Sequence, residues 1–329
     1  MPVETLDFEE PIAVLLKEIE ALRMLSRTSE RQEELERLLR RVDEMRREIF
    51  SNLTPWQQVL VARHPNRPHT LDYIEQLFSE FSEIHGDRRF GDDSAIVTGF
   101  ANLDDDPVLL VGHQKGRGTR ENIKRNFGYA RPEGYRKALR AMKLAEKFGR
   151  SIVVFIDTPA AYPGIDSEER GVAEAIAHNL REMTMLAVPT IVLVTGEGGS
   201  GGALGIAIGD RVLMQEHAIY SVIPPEGCAA ILWRDAKRKV EAAEALKIRA
   251  NDLIGLRIVD EIIPEPIGGA HVDPVGAAEL LKPFLRDAIK HSAALSVEER
   301  LEQRYQRFRQ IGNLGLSEGN SSEPQRASS

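Results

Sequence analysis

Apolar residues recur at helical spacing at Ile12, Leu15, Leu16, Ile19 and Leu22, and again at Leu35, Leu38, Leu39, Val42, Met45 and Ile49. Two such stripes, separated by a polar break at 26–30, predict an antiparallel helical hairpin. A two-helix element cannot bury both stripes alone, so it is expected to lie against the main body or a partner. The stretch RHPNRP at 63–68 reads as a linker from its Pro, Asn and Arg content. A helix is expected over 71–84, followed by the turn HGDRRFGDD. Residues 94–103 and 108–113 then read as two strands of a hairpin closed at 104–107.

From Gly134 the pattern becomes an alternation. A helix over 134–148 precedes a strand at 152–156 and the loop DTPAAYPG; a helix over 167–186 precedes a strand at 190–194 and the loop TGEGGSGG. A short apolar helix, a strand at 211–214 and an extended run at 218–222 follow. Strands that are apolar throughout are buried on both faces, so the alternation predicts an α/β fold with parallel pairing. Active-site groups in such folds gather at the carboxyl ends of the strands. Residues 236–310 read as mostly helical with a Gly/Pro break at 264–271. The tail at 317–329 lacks any apolar anchor and is expected to be disordered. The chain thus divides into a helical extension (1–62), a main domain (63–295), a C-terminal helix (296–316) and the tail.

Composition narrows this picture. Aromatic residues are only 6% of the 329, so aliphatic side chains must fill the core. A net charge of -8 argues against general nucleic-acid binding, which needs clustered Lys and Arg. Cys228 is the single cysteine, which excludes an internal disulfide and any zinc ribbon built from this chain alone. The N-terminal MPVETLDFEEP has neither region of a secretory signal, and no apolar run approaches the roughly 20 residues that span a bilayer. A reducing, cytoplasmic setting without membrane association is expected.

The turn GEGGSGGA at 196–203 fits three templates. Gly196, Gly198 and Gly201 match the dinucleotide fingerprint, whereas Gly198, Ser200 and Gly202 match the nucleophile elbow of serine hydrolases. In the third, backbone N–H groups of the turn face a developing oxyanion and no side chain is needed. Only 203–208 separates the turn from Gly209-Asp210, which is short for a dinucleotide crossover helix, although Glu216 stands at a tolerable distance for a ribose-binding acid. His217, His271 and His291 follow Ser200 with Asp210, Asp260 and Asp273 as third members, but nothing in the spacing brings any of them to it. A turn needed only for tight packing is the plainest alternative.

DTPAAYPG follows its strand as GEGGSGGA follows the next, so the two loops can form two walls of one pocket. Asp157 there is expected to bond loop N–H groups, and Tyr162 divides evenly between ligand contact and packing. The segment 116–140 carries Arg117, Arg120, Lys124, Arg125, Arg131, Arg136, Lys137 and Arg140 against Glu121 and Glu133. In a net acidic chain it suits an anionic ligand such as a nucleotide phosphate, or a solvated helix face.

Several long segments together resemble the alpha subunit of the carboxyltransferase of multisubunit acetyl-CoA carboxylases. They are LDFEEPI from Leu6, GRGTRENIKRNFGYARPEGYRKALRAMKLAEKFG from Gly116, DTPAAYPG, EERGVAEAIAHNLREM from Glu168, GEGGSGGALGIAIGDRVLM, YSVIPPEGCAAILWRDA, IIPEPIGGAH and RYQRFRQIG from Arg304. The resemblance covers nearly the whole chain except the tail. It implies an α/β fold of the crotonase-like (ClpP/crotonase) class, a superhelix of β-β-α units with an N-terminal helical extension. It implies transfer of a carboxyl group from carboxybiotin on a biotin carboxyl carrier protein to acetyl-CoA, giving malonyl-CoA for fatty-acid synthesis. The expected partners are a beta subunit in an α2β2 heterotetramer, the carrier protein and biotin carboxylase, which is the component that consumes ATP. No covalent cofactor or metal is expected here, since the beta subunit carries the zinc-binding cysteines.

By the same resemblance Gly201 and Gly202 hold the ureido oxygen of biotin. Gly198, Gly199, Ala160, Ala161, Tyr162, Gly164, Arg117, Lys124 and Arg125 are the remaining substrate-binding candidates, and Ser200 is a bystander. The family commonly has Gly where this chain has Ala160, which implies an ordinary φ at that position.

Overall fold

The computed structural model describes residues 5–25 and 28–313, so the tail expected at 317–329 lies outside the described residues. Helices α1 (Glu10–Arg23) and α2 (Ser29–Ser51) pair as their stripes predict and bury Ile12, Ile19, Leu38 and Val42 in a small core of their own. Thr28 caps α2 by accepting from the Arg31 N–H. The extension meets the body through Phe50, Leu53 and Val61, and through a polar clasp at Glu9. Glu9 Oε1 lies 3.2 Å from His271 Nε2, and the His64 ring stacks on His271 with centroids 4.1 Å apart. The three side chains bring their ligand-type atoms within 4.8 Å of one another, where the extension meets the body.

After α3 (Pro55–Ala62), the 63–68 stretch is more than a linker. Arg67 is fully buried; it donates to the Thr195 carbonyl at 2.6 Å and pairs with Glu265, Nη1 to Oε2 being 2.9 Å. Helix α4 (Thr70–Leu77) stops short of the expected Ile84. Residues 79–83 instead form β1 (Ser79–Glu83), antiparallel to β2 (Ile96–Leu103). FSEFSE repeats every three residues and carries no strand alternation, but pairing with β2 supplies backbone partners that an exposed helix end would leave to water. β2 and β3 (Asp106–His113) form the expected hairpin.

The short α5 (Gly118–Lys124) leads to α6 (Pro132–Lys147) and β4 (Ser151–Thr158). The single helix expected over 167–186 is two, α7 (Ile165–Glu169) and α8 (Val172–Thr184). Gly171 stands between them at φ +76°, a conformation that ends one helix before the next begins. β5 (Thr190–Gly199) runs on into the glycine turn, which continues as α9 (Ser200–Leu204). Next come β6 (Arg211–Gln215), β7 (Ile219–Ser221), α10 (Pro225–Trp233), α11 (Lys239–Leu246) and α12 (Ala250–Gly255). The helical region also contains a strand, β8 (Glu261–Ile263), which extends the sheet beside β6; α13 (Pro274–Ala293) and α14 (Val297–Gln310) complete the chain.

The sheet order is β1-β2-β3-β4-β5-β6-β8, with β7 paired to the carboxyl end of β5. From β3 to β8 all pairs are parallel. Alternate residues of the central strands enter two different cores. Leu109, Val111, Ile152, Val154, Val192 and Val194 pack on one face with α6 and α8; Leu110, Val153, Phe155, Ile191 and Leu193 pack on the other with α4 and α13. That two-sided burial is the reason these strands are apolar throughout. Helix α14 is held by Arg304, which is buried, donates to Asp210 Oδ1 at 2.8 Å and also reaches the carbonyls of Met183 and Leu186. No helix of the described residues is long and apolar enough to cross a membrane.

Candidate functional site

β4 and β5 are neighbours in parallel register, so the loops at their carboxyl ends stand side by side, as two walls require. The register shifts between Ile156 and Thr158, where Thr158 comes to face Gly198. A third segment closes on them: the Tyr162 N–H donates to the Ala130 carbonyl at 2.9 Å, and Thr158 Oγ1 lies 2.7 Å from the Gly128 carbonyl. That segment is strained, because Asn126 and Phe127 both hold left-handed backbone (φ +48° and +54°).

The walls interlock backbone to backbone. A Cβ added at Gly199 would overlap the Pro159 carbonyl, and one at Gly202 would overlap the main chain of Ala160 and Ala161. Gly201 differs. The nearest atom to a Cβ there is Ile176 Cδ1 at 3.7 Å, an ordinary contact, and its φ is not left-handed. Packing and backbone conformation therefore leave Gly201 free to carry a side chain. It lines an apolar cavity of about 430 Å³ with Ser200, Leu204, Tyr220, Phe308 and Ile311. Ser200, at φ +49°, is held in left-handed backbone where the strand becomes helix.

Beneath the walls lies a chain of charges. Lys115, two residues beyond β3, places Nζ 2.7 Å from Asp157 Oδ1 and 2.8 Å from Glu197 Oε2. Glu197 Oε1 accepts from Arg63 Nε at 2.6 Å, and Arg63 Nη1 reaches Glu226 at 2.7 Å. The Glu197 N–H donates to Asp157 Oδ1 at 3.0 Å, so Asp157 does bond a loop N–H. Burial alone would raise both carboxyls, but Lys115 beside each, helped by Arg63 at Glu197, holds them below the ordinary carboxylate range. Burial alone would likewise lower Lys115, yet the two carboxylates push it above the usual lysine value. His113, at the end of β3, lies against the backbone of Gly202 and Phe155. Burial pushes it down to about 4, offset in part by Asp157 and by the backbone of Gly202 and Phe155.

The remaining candidates fall in different places. Gly198 abuts the Tyr220 ring, Gly164 caps α7, and the Arg131 guanidinium covers the Tyr162 ring at 4.9 Å. Ala160 lies on the interlocked wall and has no left-handed backbone, in keeping with its side chain. Arg117 is engaged by Asp72 at 2.8 and 3.0 Å, and Arg125 donates to the Ser94 carbonyl at 2.9 Å. Lys124, at the end of α5, forms no ion pair among the described residues. Most of the other cations in that segment are likewise engaged, Arg136 by Asp87 and Lys137 by Asp92.

Two of the open readings of the turn lose their support here. No hydrogen bond joins Ser200 to a histidine among the described residues; His217 faces Gln58 and His271 faces Glu9. Five-residue α9 is too short for a dinucleotide crossover helix. Sequence reasoning missed Lys115, Glu197 and Arg63. The available signal was Glu197 itself, a carboxylate inside an apolar strand, which needs a buried cation nearby.

Comparison with known proteins agrees with this architecture. Residues 5–312 match the family model described as acetyl co-enzyme A carboxylase carboxyltransferase-like. Proteins named acetyl-coenzyme A carboxylase carboxyl transferase subunit alpha are similar over most of the chain. That of Geobacter metallireducens is 56% identical over 310 residues, 94% of this chain and 98% of the relative; that of a Cyanothece species is 55% identical over 309 residues, 93% and 95%. Among solved structures, transcarboxylase 12S with methylmalonyl-coenzyme A bound superposes with a TM-score of 0.56 at 19% identity. The match covers 69% of this chain and 42% of that one. A Pseudomonas malonate decarboxylase hetero-tetramer in complex with coenzyme A gives 0.55 at 17%, covering 66% and 86%. These likenesses show the shared crotonase-like fold.

Proposed function

The chain belongs to the acetyl-CoA carboxylase carboxyltransferase alpha family, and from that premise we propose how its two walls serve the transfer. Together with a beta subunit, in an α2β2 assembly within the cytoplasm, it moves the carboxyl group of carboxybiotin to acetyl-CoA and yields malonyl-CoA for fatty-acid synthesis. Biotin carboxyl carrier protein presents the carboxybiotin, and biotin carboxylase recharges it. Bound biotin supplies a carboxyl group whose departure leaves negative charge on the ureido oxygen.

The role of this chain is to receive that charge. Gly201 and Gly202 offer backbone N–H donors in a turn packed closely on the opposite wall, Gly199 against Pro159 and Gly202 against Ala160. Donors fixed before the reaction need no reorganisation as charge develops, and one is typically worth about 3 kcal/mol of barrier. The observation that carries the reading is the open face of Gly201. A residue that nothing in the fold requires to be glycine, beside a cavity, is explained by close approach of a substrate. Ala160, Ala161, Tyr162 and Gly164 form the opposite wall. Among the cationic candidates Lys124 is left to meet a substrate phosphate, since Arg117 and Arg125 hold their loop in place.

The test is a carboxyl-transfer assay with purified alpha and beta chains, separately and together, on acetyl-CoA and carboxybiotinylated carrier. Activity is expected only from the pair. Gly201→Val, whose side chain enters the cavity, is expected to assemble normally and lose about 100-fold in rate. Unchanged transfer by that variant would remove the oxyanion assignment.

A further inference from the structure

Three adjacent parallel strands, β3, β4 and β5, each deliver one charge at or just beyond their carboxyl ends: Lys115, Asp157 and Glu197. The lysine is the only one of the three whose side chain meets the side chains of both others; Asp157 reaches Glu197 only at its main-chain N–H. Its stem also supports the third segment, since a Cβ at Gly128 would come within 2.8 Å of Lys115 Cγ. The side chain of Lys115 is only 15% exposed and those of Asp157 and Glu197 less, so the tie is little screened by water. Asp157 opens one wall and Glu197 belongs to the other. Without the ammonium, two buried carboxylates would face each other across the line that separates the walls.

We infer that Lys115 is a positioning residue for the transfer reaction, its ammonium tying Asp157 to Glu197 and so fixing the spacing between the Ala160–Ala161 wall and Gly201. This rests on the carboxyltransferase reading above. Lys115 makes no contact with the cavity at Gly201; it acts through the two loops. A misplacement of about 1 Å in such a site can lower a rate on the order of 100-fold, so a residue that sets loop spacing acts on kcat more than on KM.

The experiment uses the assembled alpha–beta complex, with carboxyl transfer to acetyl-CoA normalised to the amount of complex. Lys115→Met is expected to lower kcat about 30-fold while the KM for acetyl-CoA moves less than 3-fold. The charge-balanced Lys115→Met/Asp157→Asn variant, which leaves Glu197 paired with Arg63, is expected to regain thermal stability yet stay at least 10-fold slow, because the charges are matched but the tie is gone. A double variant within 2-fold of the unaltered complex overturns the proposal and leaves Lys115 as charge neutralisation only. If neither Lys115 variant assembles, Glu197→Gln alone decides. A slowed but assembled complex supports the tie, and full activity assigns Lys115 to folding. An unaltered complex without transfer activity would instead remove the underlying reading, an outcome distinct from all of these.

Discussion

Gly201 and Gly202 are consecutive in one turn, yet opposite constraints act on them. Gly202 faces inward, where the main chain of Ala160 leaves no room for a Cβ; Gly201 faces a cavity and could carry one at little cost to the fold. The difference separates two reasons for glycine that look identical in sequence. One glycine lets two walls lock, and the other borders an open cavity.

The sharpest way to break the comparison is to place a side chain on each face. Gly202→Val should be destabilised by about 3 kcal/mol or more, as overpacking against backbone has no flexible neighbour to yield. Thermal unfolding should register this as a fall of roughly 5–10 °C. A second effect belongs to the same inward side. His113, behind Gly202, has its folded pKa depressed to about 4 from an ordinary 6.5, so the unfolded chain takes up a proton first as the pH falls. Stability is therefore fully present above about pH 6.5 and declines through the window down to pH 4. Denaturant titrations at pH 7 and pH 4.5 should show His113→Leu losing about 2–3 kcal/mol less than the unaltered protein across that interval.

On the open side, Gly201→Ala should leave the melting temperature within about 2 °C and cost roughly tenfold in kcat/KM, about 1.4 kcal/mol, because one methyl group intrudes on the cavity. A melting-temperature loss as large as that of Gly202→Val would erase the distinction between the two glycines. The smallest effects are expected in the basic segment. Arg117→Ala removes a half-exposed pair with Asp72 and should cost no more than about 1 kcal/mol in denaturant unfolding. Lys124→Ala should leave stability unchanged and raise the KM for acetyl-CoA about threefold in steady-state assays. A reversal of those two outcomes would move the phosphate contact to Arg117.

Elements with a single strong period were legible from the chain alone. The hairpin of α1 and α2, the β2–β3 hairpin and the buried strands β4 and β5 all stand where their patterns place them. The errors came where a short element depends on a remote partner. β1 and β8 are strands because β2 and β6 offer them free edges, which no local pattern reveals. α7 and α8 separate at Gly171, whose left-handed φ was not visible in an otherwise helical stretch.

The candidate site divides in the same way. Sequence by itself determined the chemistry available: a glycine-rich turn, a partner loop after the preceding strand and a cluster of cations, in an order shared with one family. Those properties are local, written in residue type and spacing. Only the tertiary structure decided which groups remain free to act. Asp72 and Ser94 engage Arg117 and Arg125, while Asp157 and Glu197 draw in a lysine that no motif singled out. The three templates of GEGGSGGA were separated in the same way, by what stands opposite each residue. Among the described residues no histidine bonds Ser200, while Gly202 has a wall and Gly201 has a cavity. Burial and pairing are properties of segments remote in the chain, and they exist only once those segments have met.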